Sequence, residues 1–391
     1  GDGDLDLAVA AWGSDAVSVL LNQGTGTFAA AIDYPAGAQP IRLAAADLNG
    51  DGAPDLAVAN RDGDDVSVLL NQGTGTFAPA VHFPAGSQPS SVAAADLNGD
   101  GALDLAVTNE NGDDVSVLLN LGTGTFAPAA FYPTGSEPVG LASADLDGDG
   151  TLDLVVANLG SAYLSVLLNQ GDGSFAAALV FPLAGGAFSV AVADLDGDGK
   201  PDIAVPDGGS DDVRVLFNQG AGLFAPAVSY FSGGSPDAVL ATDLNGDGKP
   251  DLVVTTYLVD NHLNNVSVLL NQGDGTFAAP ADYPVGQVTI NLIAADLNGD
   301  GKPDLAVGNT YAGSQGVVVL LNWGSGTFAA PTRHAVGALP VAIVAADLDG
   351  DGKPDLAVAN HDSDDVSVLH DQGNGSFAAA VAHPAGSGPS G

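Results

Sequence analysis

The sequence predicts an all-β chain folded as a single β-propeller of four-stranded blades. Three observations predict it. A nine-residue loop, Asp-x-(Asn/Asp)-Gly-Asp-Gly-x-x-Asp, occurs seven times, beginning at Asp47, Asp96, Asp145, Asp194, Asp243, Asp296 and Asp347. The loop starts are spaced by 49 residues four times, then by 53 and 51. Each interval carries four short apolar segments bounded by Gly, Asn, Asp and Pro, and none has the periodicity of an amphipathic helix. Four short strands per repeat of about 40 to 50 residues is the arithmetic of a propeller blade.

The second unit shows the elements in order. Ile41–Asp47 (IRLAAAD) is rich in alanine and suits the crowded position at the axis. After the loop come Asp55–Ala59 (DLAVA), Val66–Leu70 (VSVLL) and Phe77–Phe83 (FAPAVHF), where apolar residues are expected to alternate in burial. Gly73–Phe77 (GTGTF) reads as a tight hairpin turn that wedges Phe77 between blades. Its counterparts are Phe28, Phe126, Phe175, Phe224, Phe277, Phe328 and Phe377.

The units run 1–40 (incomplete), 41–89, 90–138, 139–187, 188–236, 237–289, 290–340 and 341–391, numbered one to eight below. Segments two to four occur eight times and the alanine-rich first segment only seven. The tail His383–Gly391 parallels Phe83–Ser91, and Gly1 parallels Gly99, so joining the ends omits the counterpart of residues 92–98. Eight blades, one lacking its inner strand, are expected, with seven blades and an orphan segment as the alternative.

Carboxylates at loop positions 1, 5 and 9, with a carboxylate or amide at position 3, gather hard oxygen donors around one point, as calcium requires. In the first complete loop Asp47, Asn49, Asp51 and Asp55 offer side-chain oxygens and Ala53 its carbonyl. The same positions hold Asp96, Asn98, Asp100, Ala102 and Asp104, then Asp145, Asp147, Asp149, Thr151 and Asp153, then Asp194, Asp196, Asp198, Lys200 and Asp202. They continue as Asp243, Asn245, Asp247, Lys249 and Asp251, then Asp296, Asn298, Asp300, Lys302 and Asp304, and finally Asp347, Asp349, Asp351, Lys353 and Asp355. Asp2 and Asp6 remain of an eighth loop cut short. A position-7 side chain that varies from alanine to lysine is not a ligand, so the backbone carbonyl is expected there. The start of the loop matches an EF-hand, but Val58 stands where that loop needs its bidentate Glu, and a strand follows instead of a helix. About seven calcium ions are expected, one per complete loop. Turn chemistry alone needs one or two such residues, not four donors at odd positions in every copy.

Composition agrees. The 391 residues carry 48 acidic and 8 basic side chains, a formal charge of −40, which excludes nucleic acid and anionic membrane as natural partners. There is no cysteine, so metal loops take the stapling role that disulfides play in many secreted proteins, and an extracellular location, secreted or cell-surface, is expected. No apolar run is long enough to span a bilayer, so no membrane insertion is expected. The chain begins at Gly1 and reads as a processed or excerpted piece.

The run VAAADLNGDGALDLAVTN (92–109) followed by SVLLNLGTGTFAPA (116–129) resembles the FG-GAP/VCBS repeat family, similar to the calcium-loop blades of integrin α-subunits. The resemblance covers essentially the whole chain. It implies a calcium-bound propeller used in extracellular recognition, adhesion or enzyme-associated modules, with metal ligands at loop positions 1, 3, 5 and 9.

Departures from the repeat mark candidates for a specific site. The loops between segments two and three are longest at Thr255–Asn265 and Asn309–Gly316, and the next two around a closed ring contain His361 and Trp12. Trp12, Tyr257, His262, Tyr311 and His361 would share one rim and could grip a sugar, although exposed loops also drift freely. The pairs Asp64-Asp65, Asp113-Asp114, Asp211-Asp212 and Asp364-Asp365 are expected to be turn carboxylates. His82 and His383 are read as variants of one structural position in the fourth strand. No nucleophile or metalloprotease motif is present, and no enzyme activity is expected. The expected function is a calcium-stabilised extracellular binding or adhesion module with a surface protein or glycan as ligand. The alternatives are a structural subunit of a self-associating surface assembly or filament, and a glycan-binding lectin or enzyme-associated domain.

Overall fold

The computed structural model describes residues 2–258, 263–286, 289–310 and 315–391. Eight antiparallel sheets follow one another along the chain and close into a ring, an eight-bladed propeller, so the seven-blade alternative falls. The first sheet has three strands, β1 (Leu7–Ala11), β2 (Ala16–Leu20) and β3 (Ile32–Pro35). The second is typical of the other seven, with β4 (Pro40–Ala46), β5 (Asp55–Asn60), β6 (Asp65–Leu69) and β7 (Val81–Pro84) paired in chain order. Its register is fixed by Leu43↔Val58, Val58↔Ser67 and Ser67↔His82.

Burial follows position in the blade. First strands of successive blades pack on one another around the axis, where small alanines let the backbones approach. The second strand is buried at every residue from Asp55 to Asn60, and β6 is buried from Val66 onward. The expected alternation therefore fails in these strands, because adjacent blades cover both faces of each. Only the outermost strand remains largely exposed.

Among the described residues, an edge-to-face aromatic pair at each of the eight interfaces holds the blades together. Each joins the hairpin phenylalanine of one blade to the fourth-strand ring of the blade before it, with centroids 5.0–5.4 Å apart. The last, Phe28 on His383, closes the ring from blade eight to blade one. These contacts correct one reading: the counterpart of His383 is Phe83, since both sit opposite the equivalent valines Val366 and Val66, and His82 points the other way, to Ser67.

Blade one has a shortened inner edge. Pro389 bridges Ala11, Ser390 donates its N–H to the Ala10 carbonyl (2.8 Å), and Ala10 donates to Gly391 (3.0 Å), so the tail occupies the place where a first strand begins. Blade five is the most irregular, with a first strand of three residues (Ala191–Ala193) and a small extra hairpin, Asn218–Gly220 against Leu223–Phe224.

Candidate metal centres

The nine-residue loops wrap around their own carboxylates. In the loop from 47 to 55, Asp47 accepts N–H bonds from Gly50 (2.8 Å), Asp51 (3.1 Å) and Gly52 (2.8 Å). Asn49 Oδ1 accepts from Asp51, and Asp51 Oδ1 from Ala53. Gly50 and Gly52 sit at φ of +76° and +87°, which a side chain would disfavour, and this lets the N–H groups of Gly50, Asp51, Gly52 and Ala53 point inward.

Position 9 differs from the rest. Asp55, Asp104, Asp153, Asp202, Asp251, Asp304 and Asp355 are buried, whereas positions 1, 3 and 5 reach solvent. Each buried carboxylate takes one N–H from the position-2 leucine and one from a residue at the end of the third strand: Asp153 from Leu146 (2.8 Å) and Asn169 (2.7 Å), for example. Burial pushes Asp153, Asp202, Asp251 and Asp304 up to about 6; the backbone bonds offset it only in part, and the nearby loop carboxylates add to it. Asp55, Asp104 and, in the shortened loop, Asp6 are raised by the same burial. Asp2 Oδ1 accepts from Asp4 N at 3.2 Å.

The asparagine after the third strand was not singled out by sequence reasoning, although it recurs in every VLLNQG-like segment except the last. Its amide ties each loop to the blade before. Asn169 Nδ2 donates to Leu152 O in its own loop (2.9 Å) and to Leu97 O in the preceding one (2.7 Å). Asn22, Asn120, Asn218, Asn271 and Asn322 repeat the inter-blade bond, Asn22 reaching Leu348 across the ring closure. Asn71 keeps only the bond to Pro54 O in its own loop, since blade one lacks the leucine that would face it. The metal loops are thus the joints of the ring.

The donor set fits a hard cation. In the loops at 145 and 194, oxygens of positions 1, 3 and 9 lie within 4.8 Å of one another, and in the loop at 347 those of positions 1, 3 and 5 do. A carboxylate oxygen that accepts one N–H keeps a lone pair for a metal. Lysines at position 7 do not enter the donor set: Lys200, Lys302 and Lys353 pair with the position-5 carboxylates Asp198, Asp300 and Asp351.

The last loop departs from its siblings. His370 and Asp371 replace the usual Leu-Asn, and a second cluster of possible ligands, Asp349, Asp355 and His370, forms there. The only sequence signal was the break in the repeat at these two residues.

The opposite face carries the second-to-third hairpins and the fourth-to-first connections. Asp64, Asp113 and Asp364 occupy left-handed turns at φ of 54–55°, and each accepts a backbone N–H, from Gln88, Glu137 and Gly388. Asp65, Asp114 and Asp365 take the amide of Asn60, Asn109 and Asn360 (2.6–2.7 Å), so these pairs tie turns as expected. Asp211 offers its carbonyl to Ser232 N. On the same face Trp12, 39% exposed, tilts over His361 with centroids 5.5 Å apart. Tyr257 stands at the end of its second strand opposite Ser235, two blades away from His361. His262 and Tyr311 lie outside the described residues.

A family described as an FG-GAP-like repeat matches residues 1–58, 47–107, 96–156, 145–205, 243–307, 296–358 and 347–391. The unmatched stretch contains the extra hairpin of blade five. No curated protein matches the sequence. Among solved structures, an Agrocybe aegerita lectin described for specific recognition of non-reducing terminal N-acetylglucosamine is 22% identical, with a TM-score of 0.53 over 97% of this chain and 90% of its own. The periplasmic gluconolactonase of Pseudomonas aeruginosa is 18% identical, with a TM-score of 0.56 over 98% and 97%. Both share the fold. With the loop, the hairpin phenylalanine and the four-stranded blade repeated around the ring, the chain belongs to the FG-GAP-like repeat family.

Proposed function

We propose that the protein is a calcium-stabilised extracellular propeller that serves as a binding or adhesion module. The observation that carries the calcium reading is the buried position-9 carboxylate: it anchors the backbone N–H of the residue after the third strand, the joint asparagine in the first six complete loops, and shares its loop with two or three further carboxylates. A divalent cation relieves their repulsion where the ring is assembled. All-oxygen donors on a glycine-rich loop favour calcium over magnesium, and the expected affinity, about 10⁻⁴ M, is met outside cells.

Binding is assigned to the opposite face, where the blades stop being alike. Trp12, His361 and Tyr257 present aromatic surface there; in the sequence His262 follows Tyr257 in one long loop and Tyr311 belongs to the other. The engaged Asp-Asp turns support a non-catalytic role. Likeness to a lectin and a gluconolactonase extends to the fold and selects neither sugar binding nor lactone chemistry.

Melting in millimolar calcium and in excess EDTA tests the first half. The transition falls steeply without calcium and the loops open to protease; equal melting in both would overturn the reading. A glycan array in calcium tests the second. Loss of any captured glycan in a Trp12→Ala/Tyr257→Ala/His361→Ala variant of unchanged melting supports the rim, and retention moves the site elsewhere.

A further inference from the structure

We propose that the last loop holds a site for a zinc-class transition-metal ion, built from Asp349, Asp355 and His370. The site goes beyond calcium binding and stands whether or not the other loops take calcium.

The sibling residues of His370 are Leu21, Leu70, Leu119, Leu168, Phe217, Leu270 and Leu321, all apolar and packed beneath the hairpin glycine of the next blade. His370 keeps that position: Gly26 of blade one closes directly over its ring, where no side chain would fit. An imidazole therefore replaces a hydrocarbon at the wall of a carboxylate loop. Its Nδ1 lies 3.2 Å from Asp355 Oδ2 and 3.8 Å from Asp349 Oδ2, and the three ligand atoms all fall within 4.8 Å of one another. Adjacent ligands around an ion with bonds of about 2.1 Å sit roughly 3.0–3.4 Å apart, so the spacing already approaches a coordination shell.

Two independent observations point to a missing partner. Nδ1 of His370 is buried and makes no hydrogen bond, because its close approach to Asp355 lacks hydrogen-bond alignment. Asp371, only 6% exposed, has both carboxylate oxygens buried and unpartnered. It pairs with Phe377 as the sibling asparagines pair with their phenylalanines, and its N–H binds Asp355 Oδ1 at 2.9 Å. The same backbone aims the sibling amides at the position-8 carbonyl, so this carboxylate faces the loop that holds the site. Two adjacent departures put a nitrogen donor and a further negative charge beside one loop among seven.

The donor chemistry then selects the ion. Calcium and magnesium take oxygen, whereas imidazole suits zinc, nickel, copper and iron. An ion held by one imidazole and two carboxylates gains from the nitrogen what calcium does not.

The test is zinc alone, offered to the intact chain in millimolar calcium. Isothermal titration and metal content after dialysis are expected to give one zinc per chain, with a shift of the His370 imidazole resonances in ¹⁵N-edited spectra. His370→Leu, which restores the sibling residue, should weaken that zinc by at least about tenfold and leave calcium-dependent melting unchanged. Asp349→Asn serves as a second variant if His370→Leu alters folding. Equal zinc binding in wild type and His370→Leu, or zinc displaced by millimolar calcium, would overturn the site. Zinc retained while calcium leaves melting unmoved would sink the calcium reading and keep this one.

Discussion

Two blades carry aspartate where most siblings carry asparagine, and the two exchanges are handled in opposite ways. Asp207 ends the second strand of blade five, at the place of Asn60, Asn109 and Asn158, and is fully buried. Its carboxylate accepts N–H bonds from Ala184 (2.7 Å) and Gly185 (2.8 Å), and Arg214, standing where Ser67 and Ser116 stand elsewhere, donates at 2.6 Å. Burial alone would push Asp207 up, but these donors outweigh it and hold it below the usual carboxylate range. Asp371 follows the third strand of blade eight with no side-chain donor; burial pushes it up, and the nearby N–H groups of Gly373 and Gln372 offset this only in part. A departure that brings its own partner is structural repair; one that leaves a buried charge bare points to something the chain alone does not supply.

The largest effect should come from breaking the repaired site. Arg214→Ala leaves Asp207 buried with backbone donors only and should cost about 2–3 kcal/mol in urea unfolding. Adding Asp207→Asn should return most of it. If Arg214→Ala were silent, compensation would not be what distinguishes the two sites.

Loss of an inter-blade amide comes next. Asn169→Ala strands the carbonyls of Leu97 and Leu152, and about 2 kcal/mol is expected. Asn71→Ala strands only Pro54 O and should cost about 1 kcal/mol less by the same measurement. Equal losses would deny the asparagines their role as joints.

Asp371→Asn inverts the sign. Restoring the sibling amide should stabilise the metal-free chain by about 1 kcal/mol, because a donor again faces the loop carbonyls. A destabilised variant would mean that the bare carboxylate already has a use in the metal-free fold.

Much of this was legible in the sequence. The loop, the hairpin phenylalanine and the 49-residue spacing fix blade, ring and candidate ligands, because each is a local pattern repeated often enough to exclude chance. Two kinds of information were not legible. The continuous burial of Asp55–Asn60 depends on blades covering both faces, which no period within one strand reveals. The joint made by Asn169 and Leu97 spans 72 residues, and an Asn repeated at a turn reads as turn chemistry until the neighbouring blade is in place. His370 and Asp371 were visible as breaks in the repeat, but only the buried, unpartnered atoms separate them from drift.

The smallest effect concerns pH, and it separates the two kinds of buried carboxylate in one titration. Asp153, Asp202, Asp251 and Asp304 have folded values of about 6 against an ordinary 3.8, so between those limits the folded state binds protons that the unfolded state has released. Stability of the calcium-stripped chain should therefore fall as pH rises from about 4 to 6. Asp207 has the opposite sign: its contribution is present above the ordinary carboxylate range and is lost as pH falls through its lowered value. Calcium binds the ionised loops and competes with protons, so the gain in melting temperature on adding calcium should shrink from pH 7 to pH 5. Asp202→Asn removes one of the four groups and should flatten the calcium-free profile slightly, whereas Asp207→Asn with Arg214→Ser should leave the pH 5–7 region unchanged. A calcium-free chain that gains stability from pH 5 to pH 7 would show that the position-9 carboxylates are not desolvated as the fold requires, and the distinction between the loops and the repaired site would collapse.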